Sequence, residues 1–211
     1  MSTDRLMTFA VAACMVLAGC AAPKSYVDPA TPKVSYEDVK KRAEPLKLNL
    51  VAEFQRNGEH LPKVDATLRN DAEKVLRSSG VIVATQDMPA GEIKIVVNNI
   101  ADLAAARAKG FATGLTLGLA GSTVTDDYEM TISITVNGKT IKRSAIRHSL
   151  HTIVGSGSAP EGVEVVTPNV GFERVLEQMI LRALHDMQST GELVRSNVPT
   201  SVPWEALAAQ G

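Results

Sequence analysis

The feature that most constrains the fold of this chain is a pair of β-rich runs joined by Asn137-Gly138. Before this dipeptide, apolar and polar residues alternate strictly from Tyr128 to Val136, which is the period of a strand with one buried face. A second β-rich run follows from Thr140 to Val154. Because both residues of an Asn-Gly pair tolerate positive φ, such a pair between two runs is a strong signal for a tight hairpin. The sequence therefore predicts a long antiparallel hairpin.

Two further stretches have the period of helices with one apolar face. The first runs from Pro62 to Ser79, and Gly80 stands where a left-handed C-terminal cap is expected. The second starts near Pro168, carries one continuous apolar stripe and ends at Gly191. Three shorter runs have strand character, namely residues 46–54, 81–85 and 92–100.

The order of these elements predicts the fold class. Hairpin-linked strands combined with one-faced helices are typical of an α+β domain. We expect a single domain over residues 46–193, with an antiparallel or mixed sheet of about five strands and two amphipathic helices on one face. Residues 194–211 are predicted to form a loose tail, since they contain two prolines and a lone tryptophan without periodicity.

Composition excludes several classes of function. The formal net charge is −1 and only 4% of the residues are aromatic, so the chain lacks the basic, ring-rich surface of a nucleic-acid-binding protein. Two cysteines are too few for a disulfide scaffold or a four-thiolate zinc site. We expect neither a nucleic-acid partner nor a cofactor or metal.

The first residues have the organisation of a secretory signal. A charged start, Asp4-Arg5, precedes an apolar run from Leu6 to Val16, which is too short to span a bilayer as a helix. The run ends in Leu17-Ala18-Gly19-Cys20. This tetrapeptide resembles the lipobox of bacterial lipoproteins. The resemblance implies that residues 1–19 are removed and that Cys20 carries a diacylglycerol and an N-acyl chain, which together anchor the protein in a membrane.

The resemblance also bears on location. Cys20 is followed by Ala21, whereas an Asp at that position tends to retain lipoproteins of Gram-negative bacteria in the inner membrane. The resemblance therefore implies the outer membrane, with the domain facing the periplasm. Residues 20–45, which contain four prolines, are predicted to form an extended tether between the lipidated cysteine and the domain.

The most unusual segment runs from Gly110 to Thr125 without a charged residue. Its glycines recur every four residues, which on a helix gives a smooth ridge for close packing, whereas its leucines alternate with small residues, which is typical of a strand. A buried element, an interface for self-association or a partner, and insertion into the membrane all remain open. The candidate interface residues are Gly110, Gly114, Gly118, Gly121, Leu115, Leu117 and Leu119.

Histidines and charged runs supply weaker candidates. His148 and His151 are three apart, so on a strand they point to opposite faces and cannot share a metal ion; we interpret them as surface or interface residues. Asp126-Asp127 is interpreted as a solvated end of the apolar segment. A mildly basic run (Lys139, Lys142, Arg143 and Arg147) is interpreted as a charged sheet face or edge, with attraction to anionic envelope polymers or lipid head groups as the alternative.

No motif indicates catalysis. Gly155-Ser-Gly-Ser158 does not match G-x-S-x-G, and the chain has no P-loop and no H-E-x-x-H motif. We therefore expect a non-enzymatic envelope lipoprotein, bound to the membrane through the acyl chains on Cys20, that serves as an accessory, assembly or scaffolding subunit with an envelope protein as partner. A self-associating, ring- or pore-forming lipoprotein and a lipid- or glycan-binding module are the alternatives.

Overall fold

The computed structural model describes residues 23–101 and 122–195. The strands, in chain order, are β1 (Lys24–Val27), β2 (Leu46–Arg56), β3 (Glu59–His60), β4 (Ile82–Ala84), β5 (Gly91–Ile100), β6 (Ser122–Val136) and β7 (Lys139–Val154). The helices are α1 (Pro62–Ser79), α2 (Pro168–Ser189) and the short α3 (Glu192–Arg195), with a single 3-10 turn at Tyr36–Asp38. This is the single α+β domain that the sequence predicts.

The strands form one mixed sheet in the order β1-β7-β6-β5-β2-β3, and β4 pairs with the start of β2. Strands β5, β6 and β7 form an antiparallel meander, in which Ile93 pairs with Ile134 and Ile134 with Ile141. Strand β2 runs parallel to β4 and β5 because α1 carries the chain back across the sheet between them. The described strands number seven rather than about five, because the edge strands β1 and β3 are too short to show a period in the sequence.

Both long helices pack on one face of the sheet, as predicted. Alternate residues of β2, β5 and β6 are buried against the apolar stripes of α1 and α2. The fully buried side chains include Leu48, Leu50, Leu68, Leu76, Ile93, Ile95, Met130, Ile132, Leu176 and Met179. Each such side chain contributes about 1.5–3 kcal/mol on burial, so this layer is the main source of stability.

The opposite face of the sheet is polar, and its side chains remain half-exposed in the described residues. We call it the open face. Val96 lies beside Thr131 of β6, and Val51 lies beside Lys94, which is itself next to Ser133 of β6. Two ion pairs join neighbouring strands, Lys94 Nζ to Glu53 Oε2 at 3.0 Å and Arg147 Nε to Glu129 Oε2 at 2.8 Å. Opposite charges on adjacent strands favour this pairing by a few tenths of a kcal/mol to about 1 kcal/mol each.

The turns confirm the predicted element boundaries. Asn137 and Gly138 have φ of 51° and 72°, the conformation of the two-residue turn that the dipeptide predicts. Helix α1 spans the predicted residues and ends at Gly80, whose φ is 68°. Helix α2 starts at Pro168 as predicted, and Gly191 follows it with φ of 72°.

In the described chain, residues 24–45 do not form the predicted extended tether. Strand β1 pairs with β7 in the register Lys24 to Ile153 and Val27 to Leu150, so the folded domain includes Lys24 and does not start as late as Leu46. We call the remaining residues, 28–45, the strap. Its middle part, from Pro32 to Lys40, is bonded to α2, and the Arg42 backbone N–H donates to Gly80 after α1. Prolines are compatible with a strap because it needs no ladder of backbone hydrogen bonds.

Two other predicted regions are described only in part. Of the uncharged segment 110–125, residues 122–125 are strand, because they form the start of β6 and pair with residues 151–154 of β7. Helix α3 extends the folded region two residues into the predicted tail. Among the described helices, none combines the length and the apolar character that crossing a bilayer requires.

Candidate functional site: the strap and its groove

Two glutamine side chains of α2 hold the strap. The Val34 backbone N–H donates to Gln178 Oε1 at 2.8 Å, and Gln178 Nε2 donates to the Val34 carbonyl oxygen at 3.0 Å. Gln188 makes the same pair of bonds with Lys40, at 2.9 Å and 2.6 Å. Each glutamine amide thus bonds to both the N–H and the C=O of one strap residue, as the backbone of a neighbouring strand would. Gln178 is only 6% exposed, so its two bonds are the better protected.

Further side chains fix the strap at intermediate points. The Tyr36 hydroxyl donates to Glu177 Oε2 at 3.0 Å, and burial together with this carboxylate raises the pKa of Tyr36 to about 12. Arg182 donates to the carbonyl oxygens of Pro32 at 3.0 Å and Arg147 at 3.2 Å, which joins the strap to β7. Asp38 accepts a hydrogen bond from the Ser35 backbone N–H at 2.8 Å, which caps the single 3-10 turn of the strap.

A groove of about 530 Å³ lies between the first residues of the strap, the loop before α2 and α2 itself. This volume is in the range of small-molecule sites. Its charged groups have both signs, and Arg174 Nη2 donates to Glu164 Oε1 at 2.8 Å across it. The lining residues that carry polar groups are Asp28, Thr31, Lys33, His148, Glu164, Arg174, Glu177 and Gln178.

His148 lines this groove and is only 4% exposed, so its interpretation as a surface residue is wrong. Its Nδ1 accepts a hydrogen bond from the Ser149 backbone N–H at 2.9 Å, which places the proton of the neutral ring on Nε2. Burial lowers the pKa of His148, and the nearby Arg182 guanidinium lowers it further. The ring is therefore a neutral hydrogen-bond donor at neutral pH.

His151 points to the opposite face of β7, as its spacing from His148 predicts. It stacks on Tyr26 with the ring centroids 4.9 Å apart, and its Nδ1 lies 2.9 Å from Thr125 Oγ1. Its Nε2 lies 3.9 Å from Asp28 Oδ1. No group of three or more metal-ligating side chains occurs within residues 23–101 and 122–195.

Two arginines of the basic run on β7, Arg143 and Arg147, pair with carboxylates. Arg143 donates to Asp186 of α2 and to Glu192 of α3, and these bonds raise the pKa of its guanidinium. Arg147 pairs with Glu129 on the neighbouring strand. Ser149 Oγ donates to Asp127 Oδ1 at 2.6 Å, and Asn99 Nδ2 donates to Asp126 Oδ1 at 3.4 Å. The charges of this run therefore serve at least in part to join β7 to the C-terminal helices.

The site residues predicted from the sequence lie outside the described chain. These are Cys20 and the candidate interface residues Gly110, Gly114, Gly118, Gly121, Leu115, Leu117 and Leu119. Of the groove residues, only His148 was among the candidates from the sequence, and it was interpreted there as a surface or interface residue. One signal was available for Gln178, which is a polar residue inside the apolar stripe of α2 and therefore needs a buried partner.

Comparisons with known proteins give no family. No protein-family model and no curated protein matches the chain. A crystal structure of an uncharacterised protein is similar with 13% identity and a TM-score of 0.25, covering 70% of this chain and 92% of the other. A putative neuraminyllactose-binding hemagglutinin homologue from Helicobacter pylori is similar with 11% identity and a TM-score of 0.26, covering 87% and 97%. Similarity at this level assigns neither a fold family nor a function.

Proposed function

We propose that this protein is an outer-membrane lipoprotein whose periplasmic α+β domain acts as a non-catalytic accessory subunit of an envelope assembly. The observation that carries the proposal is the lipobox-like Leu17-Ala18-Gly19-Cys20 that follows the signal-like run. Acyl chains on Cys20 would contribute about 0.8 kcal/mol for each buried CH₂ group, so several chains give an effectively permanent anchor.

The position of the domain supports this function. Only Ala21, Ala22 and Pro23 separate Cys20 from Lys24, the first residue of β1. A fully extended chain of four residues spans about 14 Å, so the anchor holds the domain close to the membrane surface. A domain with this short a connection is suited to partners that are themselves at the membrane.

The described residues present two surfaces that suit a partner. The open face presents threonine, serine and charged side chains over four adjacent strands, with Val51 and Val96 half-exposed among them. The groove beside the strap is the second surface. Protein interfaces commonly combine a small apolar centre with a polar surround, and the open face has that composition.

The first experiment tests the anchor and the partner together. The full-length chain with a C-terminal tag is cross-linked in native membranes and purified, and the mass of its N-terminal peptide is measured beside that of a Cys20→Ser variant. We expect an acylated Cys20 and one foreign envelope protein in fixed stoichiometry. An unacylated Cys20 contradicts the anchor, and recovery of this chain alone contradicts the accessory role.

Self-assembly is the second candidate, and it is supported by the repeated glycines of the uncharged segment. If these glycines let two copies approach closely, Gly114→Leu abolishes association and leaves the domain folded. Sedimentation and circular dichroism of the purified variant measure both properties. An unchanged oligomer in Gly114→Leu rules this candidate out.

Ligand binding is the third candidate, because the groove offers donors and acceptors side by side. The Nε2–H of His148 and the carboxylates of Asp28 and Glu177 suit a hydroxyl-rich ligand such as a glycan. Soluble peptidoglycan fragments are titrated against the protein while the ring signals of His148 are followed by NMR. Thr31→Trp, which fills the groove, should remove the response; a response that persists in this variant places binding elsewhere.

A further inference from the structure

The end of the sheet at which β1 begins differs from the rest of the described surface. Strands β1, β7 and β6 continue there beyond β5, whose last residue, Ile100, pairs with Asp127. Residues 122–126 and their partners on β7 therefore project past β5 by about five residues, or about 17 Å. We call residues 24–25, 122–125 and 151–154 the sheet tip.

The exposed apolar side chains concentrate near this tip. Five large hydrophobic residues of the described chain are exposed, and four of them belong to this end: Ile100, Val124, Val165 and Val170. Val124 is 46% exposed and lies within the tip itself. Val165 precedes Val166, which forms a bridge with Ser25. Val170 is in the first turn of α2, beside Gly171, which is in close contact with Leu150.

The fifth exposed residue lies at the other end of the sheet. Met88, which is 89% exposed, precedes β5, whose first residue, Gly91, pairs with Val136. The strand rise from Val124 to Val136 separates the two ends by about 40 Å. Met88 is therefore a suitable control position for a measurement of contacts that only the tip makes.

Two chain connections also converge on the tip. Lys24, Ile153 and Thr123 lie side by side in register, and Lys24 is four positions after Cys20. The chain enters β6 at Ser122 directly from the uncharged stretch of residues 110–121. Lys24 is exposed and places a cation at the very end of the sheet, which favours contact with anionic lipid headgroups. Glu164, which lies two residues before Val166 in the loop before α2, is paired with Arg174.

We propose that the sheet tip, with Val124 at its centre and Val165 beside it, contacts the bilayer surface, so that the strands stand on the membrane and the Asn137-Gly138 turn points into the periplasm. This inference rests on the proposed lipid anchor at Cys20. It adds an orientation that an anchor alone does not impose, because a chain of four residues also allows the domain to lie on its side.

The test uses two single-cysteine variants of the full-length protein, Val124→Cys and, as the matched control, Met88→Cys. Cys14 leaves with the signal and Cys20 is acylated, so each variant has one free thiol. The acylated proteins are labelled with a fluorophore and reconstituted in vesicles of phosphatidylethanolamine and phosphatidylglycerol that contain a lipid-bound quencher. We expect a several-fold loss of fluorescence at position 124 and almost none at position 88.

The outcomes separate this inference from the proposed function. Equal quenching at both positions means that the domain lies flat, and it overturns the inference while the anchor stands. No quenching at either position, in protein that floats with the vesicles and has the mass of the acylated form, means that the tip does not touch lipid and also overturns it. Protein that neither floats nor carries acyl chains overturns the proposed function and the inference together.

Discussion

The β6–β7 hairpin and the strap lie on the same domain but are held by different kinds of contact. In the hairpin, residues close in sequence pair backbone to backbone from Val136 and Lys139 outwards, around a turn of two residues. In the strap, backbone groups of Val34 and Lys40 bond to side chains of Gln178 and Gln188, which are 144 and 148 residues away. The hairpin therefore depends on a repeated pattern and the strap on a few individual side chains.

This difference predicts which single substitutions lower the stability of the whole domain and which open only the strap. A hairpin whose apolar residues face the helices shares its stability with the whole core, so damage there lowers global stability. A strap held by a few side chains opens locally when one of them is removed, and the core remains folded. Four predictions sharpen this contrast, from the largest expected effect to the smallest.

The largest effect is expected for Ile132→Ala in β6. Ile132 is fully buried between the sheet and the helices, so its truncation leaves a cavity and lowers the free energy of unfolding by about 2–5 kcal/mol. Urea denaturation measures this loss. Ser133→Ala, at the next residue on the open face, is the control and should change stability by less than about 0.5 kcal/mol. A small effect of Ile132→Ala would show that the core can collapse around the cavity.

A smaller effect is expected for Gln178→Ala, which removes both bonds to Val34 and leaves its backbone groups unpaired. We expect the free energy of opening the strap to fall by about 1–3 kcal/mol. The backbone amides of the strap should therefore exchange with solvent faster, while those of β6 should not. Gln188→Ala is the matched control, because its bonds to Lys40 are exposed and water replaces them at a cost of about 0.5–1 kcal/mol. Equal effects of the two substitutions would mean that burial of the amide does not matter.

The pH dependence of stability should reveal the lowered pKa of His148. Its pKa is lower in the folded protein than in the unfolded chain, so the unfolded state binds more protons and stability falls as the pH drops below about 6.5. Urea denaturation between about pH 7 and pH 5 measures this fall. His148→Asn, whose side chain can still accept from the Ser149 N–H, should flatten the curve in that range. The lowered pKa values of Asp38, Glu53 and Glu164 act only in more acidic solution.

The smallest effect is expected for Arg143→Gln. Arg143 joins β7 to α2 and α3 through Asp186 and Glu192, at a partly exposed site. We expect the free energy of unfolding, measured by urea denaturation, to fall by about 0.5–1 kcal/mol. This loss should shrink as added salt screens the ion pairs. Arg147→Gln is the control, because Arg147 is more exposed and pairs with a single carboxylate. A loss that is independent of salt would indicate that Arg143 contributes through packing instead.

Most of the fold could be predicted from the sequence, because its long elements carry a period. Helix α1 spans the residues that the apolar spacing indicates, and Asn137-Gly138 forms the expected turn. Strands β1 and β3 have four and two residues, which is too short for a period to be recognised. Their positions depend on partners such as Ile153 and Gln55 elsewhere in the chain.

The candidate site was harder to predict for the same physical reason. The strap has the composition of a linker, and nothing in residues 28–45 indicates that Gln178 and Gln188 will satisfy its backbone. His148 has no local feature that distinguishes a buried ring from an exposed one. Its burial results from the pairing of β1 with β7 and the packing of α2 against β7, which depend on the topology rather than on the neighbouring residues.

The pairing of β1 has a mechanical consequence. Strand β1 starts at the sheet tip and runs antiparallel to β7, so a pull on the N-terminus away from the domain acts along the strand. Hydrogen bonds between strands are perpendicular to that direction, and the pull loads the pairs from Lys24 to Val27 together, in shear, instead of opening them one at a time. Force applied through the N-terminus is therefore transmitted to β7 and β6, and the four residues of β1 can connect the N-terminus firmly to the core.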